Sequence, residues 1–121
     1  MNVALVMAGA RVAFSPGEMI EGEIQYSCSD PVARVEVRLF WYTEGKGTQD
    51  VQVVAWKVAD ELPGRGNVGF RFAAPQRPVS CSGTLVSVRW ALEVVAPGAE
   101  TQRVELVIGP RGQETRLGKV R

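Results

Sequence analysis

The sequence contains no histidine, only two cysteines and few aromatic residues, which make up 7% of its 121 positions. Without histidine, a conventional Ser-His-Asp triad and a histidine general base are excluded. The usual zinc and haem sites also lose their commonest ligand. We therefore expect no metal and no cofactor, and we predict that the protein is not an enzyme.

An excess of charge of either sign is also missing, as are long apolar runs. The sequence has fourteen Lys and Arg residues and thirteen acidic residues, for a formal net charge of +1. This balance gives no electrostatic reason to expect nucleic acid as a partner. No apolar run approaches the ~20 residues of a membrane-spanning helix, and the N-terminus lacks the basic start of a signal peptide. We expect a cytoplasmic protein in which Cys28 and Cys81 are free thiols.

The sequence does contain the alternation typical of β-strands, in which apolar residues occupy every second position and polar residues lie between them. The pattern runs through 18–26, 32–41, 68–72, 86–94 and 104–108, with shorter strands predicted at 2–6 and 11–14. Gly and Pro clusters separate these segments and supply turn geometry. The spacing predicts an all-β fold, an antiparallel immunoglobulin-like β-sandwich of seven to nine strands, with a closed barrel as the alternative.

The alternation stops after Gly109, which divides the chain into a predicted sandwich domain over 1–109 and a basic tail over 110–121. The tail carries four basic residues and one acid, whereas 1–109 carries ten basic residues against twelve acids. We expect the tail to be flexible and to make at most weak contact with anionic groups, because so few charges give no stable membrane anchor.

Two sequence motifs resemble the arrestin-like domain family. The segment 14–24, FSPGEMIEGEI, is similar to the family's opening Pro-Gly-Glu followed by an apolar residue and Gly22. The segment 70–94 resembles its Phe, Pro, Ser and Gly series, which ends in a strand where Trp90 replaces the usual Tyr. The resemblance covers about residues 11–96.

The resemblance implies an immunoglobulin-like sandwich that serves as a non-enzymatic adaptor, as in arrestins, the related retromer subunit and bacterial sporulation-control proteins. Arrestins have two such sandwiches, whereas this chain has the length of one. The resemblance assigns scaffold residues only, and it assigns no functional residue to this chain.

A possible binding surface follows from the register of the hairpin over 32–58. If a two-residue turn at Lys46-Gly47 closes the hairpin, opposed residues have numbers that add up to 93. Glu36 then faces Lys57, while Val54, Trp56 and Val58 point into the core. The opposite face receives four apolar side chains, Phe40, Tyr42, Val51 and Val53. We predict that they form an exposed contact patch; the alternative is that another segment covers them.

The leading hypothesis is a protein-interaction domain that binds a partner protein or a second copy through a sheet edge or this patch. The alternative is a carbohydrate-binding sandwich in which Trp41, Trp56 and Trp90 form a sugar-stacking platform. The two differ in the exposure of the tryptophans: at least two exposed, coplanar rings would favour sugar binding.

Overall fold

The computed structural model describes residues 1–45, 49–83 and 85–116. Two single-turn 3-10 helices, Ala8–Ala10 and Pro110–Gly112, accompany ten strands. The strands are β1 (Asn2–Met7), β2 (Ala13–Phe14), β3 (Met19–Ser27), β4 (Val32–Gly45), β5 (Val51–Leu62), β6 (Arg65–Ala73), β7 (Cys81–Ser82), β8 (Val86–Val95), β9 (Gln102–Ile108) and β10 (Thr115–Arg116). The predicted all-β class is confirmed. β2 lies within the strand predicted at 11–14. Ten strands exceed the predicted seven to nine because β7 and β10, with two residues each, are too short for alternation to define them.

The strands form two sheets. The small sheet has the order β1-β3-β6, and the large sheet runs β10-β7-β8-β4-β5, with β9 beside β8 and β2 beside β9. The long strands pair antiparallel, as predicted, whereas the short pairs β2–β9 and β7–β10 are parallel. Among the described residues, β5 pairs with β4 alone, so β5 is an edge of the large sheet.

The core lies between the two sheets and consists of the apolar face of each long strand. The largest side chains with almost no exposure are Trp90, Phe14, Ile20, Ile24, Leu39, Leu92 and Ile108. Val35, Val37 and Leu39 of β4 are buried as the alternation predicts, and Trp41 packs half-buried against the same cluster. The predicted inward face of β4 is therefore confirmed.

Gly22 lies in the middle of β3 on the inward face, where β1 and β6 both approach it. A Cβ at this position would lie 2.5 Å from the carbonyl oxygen of Val6 and 2.7 Å from Cζ of Phe70. Glycine is thus needed at position 22 because the missing side chain lets the Phe70 ring pack against the strand.

Residues 110–116, which the sequence assigned to a flexible tail, form a 3-10 helix and β10. The Thr115 amide donates to the Ser80 carbonyl oxygen at 2.9 Å, and the Ser82 hydroxyl donates to the Glu114 carboxylate. Arg89 also contacts Glu114, at 3.3 Å. These partners lie far away in sequence, so the end of the alternation could not reveal them. Residues 117–121 lie outside the described residues.

Several further predictions concern particular residues. Cys28 and Cys81 are both free thiols, as predicted, with Cys81 buried. The predicted turn at Lys46-Gly47 lies outside the described residues. Within the described part of the chain, no helix has the length and apolarity required to cross a membrane.

Candidate functional site

The four residues of the predicted patch lie together on the outer face of the large sheet. Phe40 is opposite Val53, and Tyr42 is opposite Val51, which is the register predicted for this end of the hairpin. Val51 is 65% exposed and Val53 is also exposed, but Phe40 is only 4% exposed. The prediction that Phe40 is exposed is therefore wrong, and the exposed part of the predicted patch is confined to β5 and the half-buried Tyr42.

Arg103 of β9 is the residue that covers Phe40. Its guanidinium carbon lies 5.0 Å from the centre of the Phe40 ring and 5.4 Å from that of Tyr42. Glu93 of β8 holds the same guanidinium at 3.3 Å. Arg103 therefore places its charge over two aromatic faces, an arrangement that is favourable because the ring faces are electronegative. The sequence of β4 does not predict that Phe40 is buried, because Arg103 lies two strands away in the sheet.

Tyr42 joins the same cluster through its hydroxyl group, which donates to Oε1 of Glu105 at 2.8 Å. Its ring packs against Phe40, with centroids 5.9 Å apart and a tilt of 34°. Burial and the hydrogen bond to Glu105 raise the pKa of Tyr42 to about 12. The Phe40–Tyr42 pair thus forms an ordered base beneath Arg103, beside the exposed valines of β5.

A β-bulge in β5 changes the faces of the residues that follow it. Leu39 is opposite Ala55 and Phe40 is opposite Val53, so Val54 is the extra residue. Beyond the bulge, opposed residues have numbers that add up to 94, one more than predicted. Trp56 consequently lies opposite Arg38 on the outer face and is 62% exposed. The prediction that Val54 and Trp56 point into the core is wrong.

The predicted pairing of Glu36 with Lys57 is wrong for the same reason. Glu36 binds two arginines of its own strand, Arg38 at 2.7 Å and Arg34 at 3.3 Å, and so needs no cation from β5. The bulge leaves Val58 opposite Glu36, half-buried on the outer face instead of in the core. Lys57 instead reaches across the open side of the sandwich, where its Nζ donates to the Gly69 carbonyl oxygen of β6 at 2.6 Å.

Together these features define an apolar surface on an edge strand. We call Val51, Val53, Val54 and Trp56 the β5 strip; all four side chains are exposed. β5 is 12 residues long, about twice the usual strand length. Its free edge presents backbone donors and acceptors, beside which the strip presents apolar surface. Val54 and Trp56 belong to this surface, but the register predicted from the sequence placed them inside.

The three tryptophans do not form a platform. Trp90 is fully buried, and its indole N–H donates to the Pro78 carbonyl oxygen at 2.7 Å. Trp41 packs half-buried against the core, which leaves Trp56 as the one strongly exposed tryptophan. The arrangement that would favour sugar binding, at least two exposed coplanar rings, is therefore not present.

A groove lies across the small sheet and has a volume of about 740 Å³. Its lining includes Glu21, Glu23, Lys57 and Arg71, but no tryptophan. Glu21 pairs with Arg71 at 3.0 Å, and Lys57 is bound to Gly69, so most of its charged groups already have partners within the chain. Its lining also includes Phe70, which is only 4% exposed, so this groove offers a ligand little stacking surface and no concentrated charge.

The fold and the β5 strip define the chain as an all-β sandwich with an exposed apolar edge. No protein-family model and no curated protein matches its sequence. Among solved structures, it is similar to Spo0M, a sporulation control protein from Bacillus subtilis, with a TM-score of 0.60 and 15% identity. The match covers 89% of this chain and 49% of Spo0M, so the chain spans about half of that protein's length.

A second similar structure is a β-glucosidase from Listeria innocua, determined in complex with gluconolactone. The TM-score is 0.53 and the identity 13%, and the match covers 90% of this chain but 16% of the enzyme. At these identities the two similarities show the fold alone. The arrestin-like resemblance predicted a sandwich of the kind found in sporulation-control proteins, and the similarity to Spo0M agrees with it at the level of the fold.

Proposed function

We propose that this chain is a non-enzymatic protein-interaction domain, an adaptor or scaffold, that binds another protein chain through the β5 edge and the β5 strip. The observation that carries the proposal is the exposure of four apolar side chains on a long edge strand. An incoming strand would gain main-chain hydrogen bonds from the edge, while its side chains would cover the strip. This mode explains why the apolar groups lie beside unpaired backbone.

The cluster under the strip supports the same mode of binding. Phe40 and Tyr42 are packed against each other, and Arg103 lies over both. A rigid base limits the entropy that the surface loses when a partner binds, which raises the affinity for a given contact area. In this proposal Phe40 supports the contact patch from beneath, while Tyr42, Val51 and Val53 touch the partner.

The comparisons and the thiols support a regulatory role inside the cell. Spo0M is a sporulation control protein, whereas the β-glucosidase match spans only 16% of that enzyme. Cys28 and Cys81 are unpaired, as is typical of proteins in a reducing compartment. We propose that the domain is cytoplasmic.

The test compares partner capture by three forms of the tagged chain in extracts of its native host. The wild type is expected to retain a partner that Trp56→Lys loses, because truncation of a central aromatic residue typically weakens an interface by about 2 kcal/mol or more. Met19→Lys is the matched control, since Met19 is 41% exposed but lies on the small sheet. The captured protein is then purified, and its binding to all three forms is measured by calorimetry. Equal binding to wild type and Trp56→Lys would refute the role of the β5 strip.

The same proteins distinguish the carbohydrate alternative, which now depends on Trp56. A panel of soluble oligosaccharides is titrated by calorimetry against the wild type, Trp56→Phe and Trp56→Lys, because Trp56→Phe would remove a tryptophan fluorescence signal along with the residue. Saturable binding that Trp56→Phe retains and Trp56→Lys loses would favour sugar binding, because any flat ring can stack on a sugar. We expect no such response.

A further inference from the structure

The occupant of the β5 edge can be inferred from the strand itself. We propose that a second copy of this chain pairs with it, with the two β5 strands antiparallel and Trp56 next to the two-fold axis. This inference rests on the proposed function and names the partner. A two-fold axis perpendicular to the sheet joins identical edges in one closed contact and keeps the outer faces of both copies on the same side.

The faces of the residues around Trp56 limit where the axis can lie. Beyond the bulge, Trp56, Val58 and Asp60 lie on the outer face, opposite Arg38, Glu36 and Arg34 of β4. In a continuous sheet, an outer residue of one copy must be opposite an outer residue of the other. With the axis at Trp56, the two indole rings become neighbours at the centre. Val58 of each copy then lies beside the bulge at Val53 and Val54 of its partner.

The charges on β5 favour this axis over axes at Lys57 and Val58. An axis at Lys57 would place the two ammonium groups opposite each other, which is destabilising across a strand pair. An axis at Val58 would place each Trp56 opposite a carboxylate, that of Asp60. With the axis at Trp56, Lys57 is opposite Ala55, and Asp60 is close to Val51 and Gln52, so no like charges meet.

The net charge and the length of the strand also suit a contact between copies. A formal net charge of +1 produces little repulsion between two identical chains. The overlap runs from residue 52 to residue 60, roughly 30 Å of paired edge at about 3.4 Å per residue. Lys57 does not block this edge, because its side chain is bound to Gly69 within its own chain. A contact of this size is at the small end of specific interfaces, so we expect a dissociation constant in the micromolar range.

Sedimentation equilibrium of the full chain from roughly 1 to 300 µM tests the inference, since this range brackets a micromolar dissociation constant. The wild type is expected to shift from monomer to dimer, and Trp56→Lys to weaken the dimer by at least about 30-fold. Met19→Lys should dimerise like the wild type. Trp56→Ser is the second variant if Trp56→Lys does not fold, which circular dichroism shows. A wild type that stays monomeric, or a dimer that Trp56→Lys leaves intact, would overturn the inference.

The position of the axis is tested by spin labels at Gln52→Cys in a Cys28→Ser, Cys81→Ala background. With the axis at Trp56, the two labelled backbone positions are eight residues apart along the paired strands, about 27 Å. With the axis at Val58, the distance rises to about 41 Å, which would overturn the register. The inference and the proposed function can fail separately. A monomer that still binds a different purified protein through Trp56 would end the inference and leave the function standing.

Discussion

The burial of Phe40 gives a sharp test of how the outer face is built. Replacing Phe40 with Ala removes a ring that is 4% exposed, lies under Arg103 at 5.0 Å and contacts Tyr42 at 5.9 Å. Phe-to-Ala changes in cores destabilise by about 3–5 kcal/mol, and an exposed cation–π contact contributes about 0.5–1 kcal/mol. Because Arg103 can move into part of the space, we expect a loss of about 3 kcal/mol.

Thermal unfolding measures this loss directly. For a domain of this size, about 3 kcal/mol corresponds to a decrease in Tm of roughly 10–12 °C. Val51→Thr is the control on the same face, because Val51 is 65% exposed and Thr keeps the branched Cβ that strands favour. Surface changes of this kind stay within about 0.5 kcal/mol. A Phe40→Ala variant with the same Tm as the wild type would show that Arg103 and Tyr42 do not bury the ring.

Three further predictions concern other parts of the chain. Absorbance titration should find a tyrosine with a pKa near 12 that Tyr42→Phe removes. Because this pKa is raised on folding, the stability that it contributes is complete below pH 10 and is lost as the pH rises toward 12. Thiol titration in denaturant without reductant should find two reactive groups, whereas in the native protein Cys28 reacts before the buried Cys81. Gly22→Ala should lower Tm because its Cβ overlaps Val6 and Phe70, while Gly69→Ala, which has open space, should leave Tm unchanged or raise it.

The fold was predictable because the long strands carry a strong contrast between their two faces. In β4, Val35, Val37 and Leu39 alternate with charged residues, and all three are buried in the core. In β8, Trp90 and Leu92 are fully buried in the same way. Half-buried strands of this kind have one stable orientation, since a shift of one residue would expose every apolar group.

The candidate site was harder to predict because β5 lacks this contrast. Val53, Val54 and Ala55 are consecutive, so apolar residues occupy both faces and alternation cannot determine which one is buried. The register predicted from the sequence therefore depends on a charge pair between Glu36 and Lys57, but Glu36 is bound by arginines of its own strand. A run of apolar residues on both faces leaves the register of a strand undetermined by alternation, and in β5 this run contains the bulge at Val54.

The burial of Phe40 beneath Arg103 shows a second limit of prediction from strand alternation. The alternation correctly assigns Phe40 to the outer face, but burial on that face depends on Arg103, which reaches it from β9 across β8. Such contacts depend on strand order, and strand order in a sandwich does not follow from the faces of the strands. Sequence patterns therefore located the patch residues on one face but could not determine their exposure.

The composition of β5 supports the proposal that a partner strand covers its edge. Edge strands that remain in solvent are usually protected by charged residues, especially lysine, or by proline. In β5 the one lysine, Lys57, is bound to Gly69, and Asp60 lies near the end of the strand, so neither protects the centre. The centre instead carries Val53, Val54 and Trp56 in exposed positions. An apolar centre on an unprotected edge promotes association, and a specific partner strand at this site would prevent the edge from pairing indiscriminately.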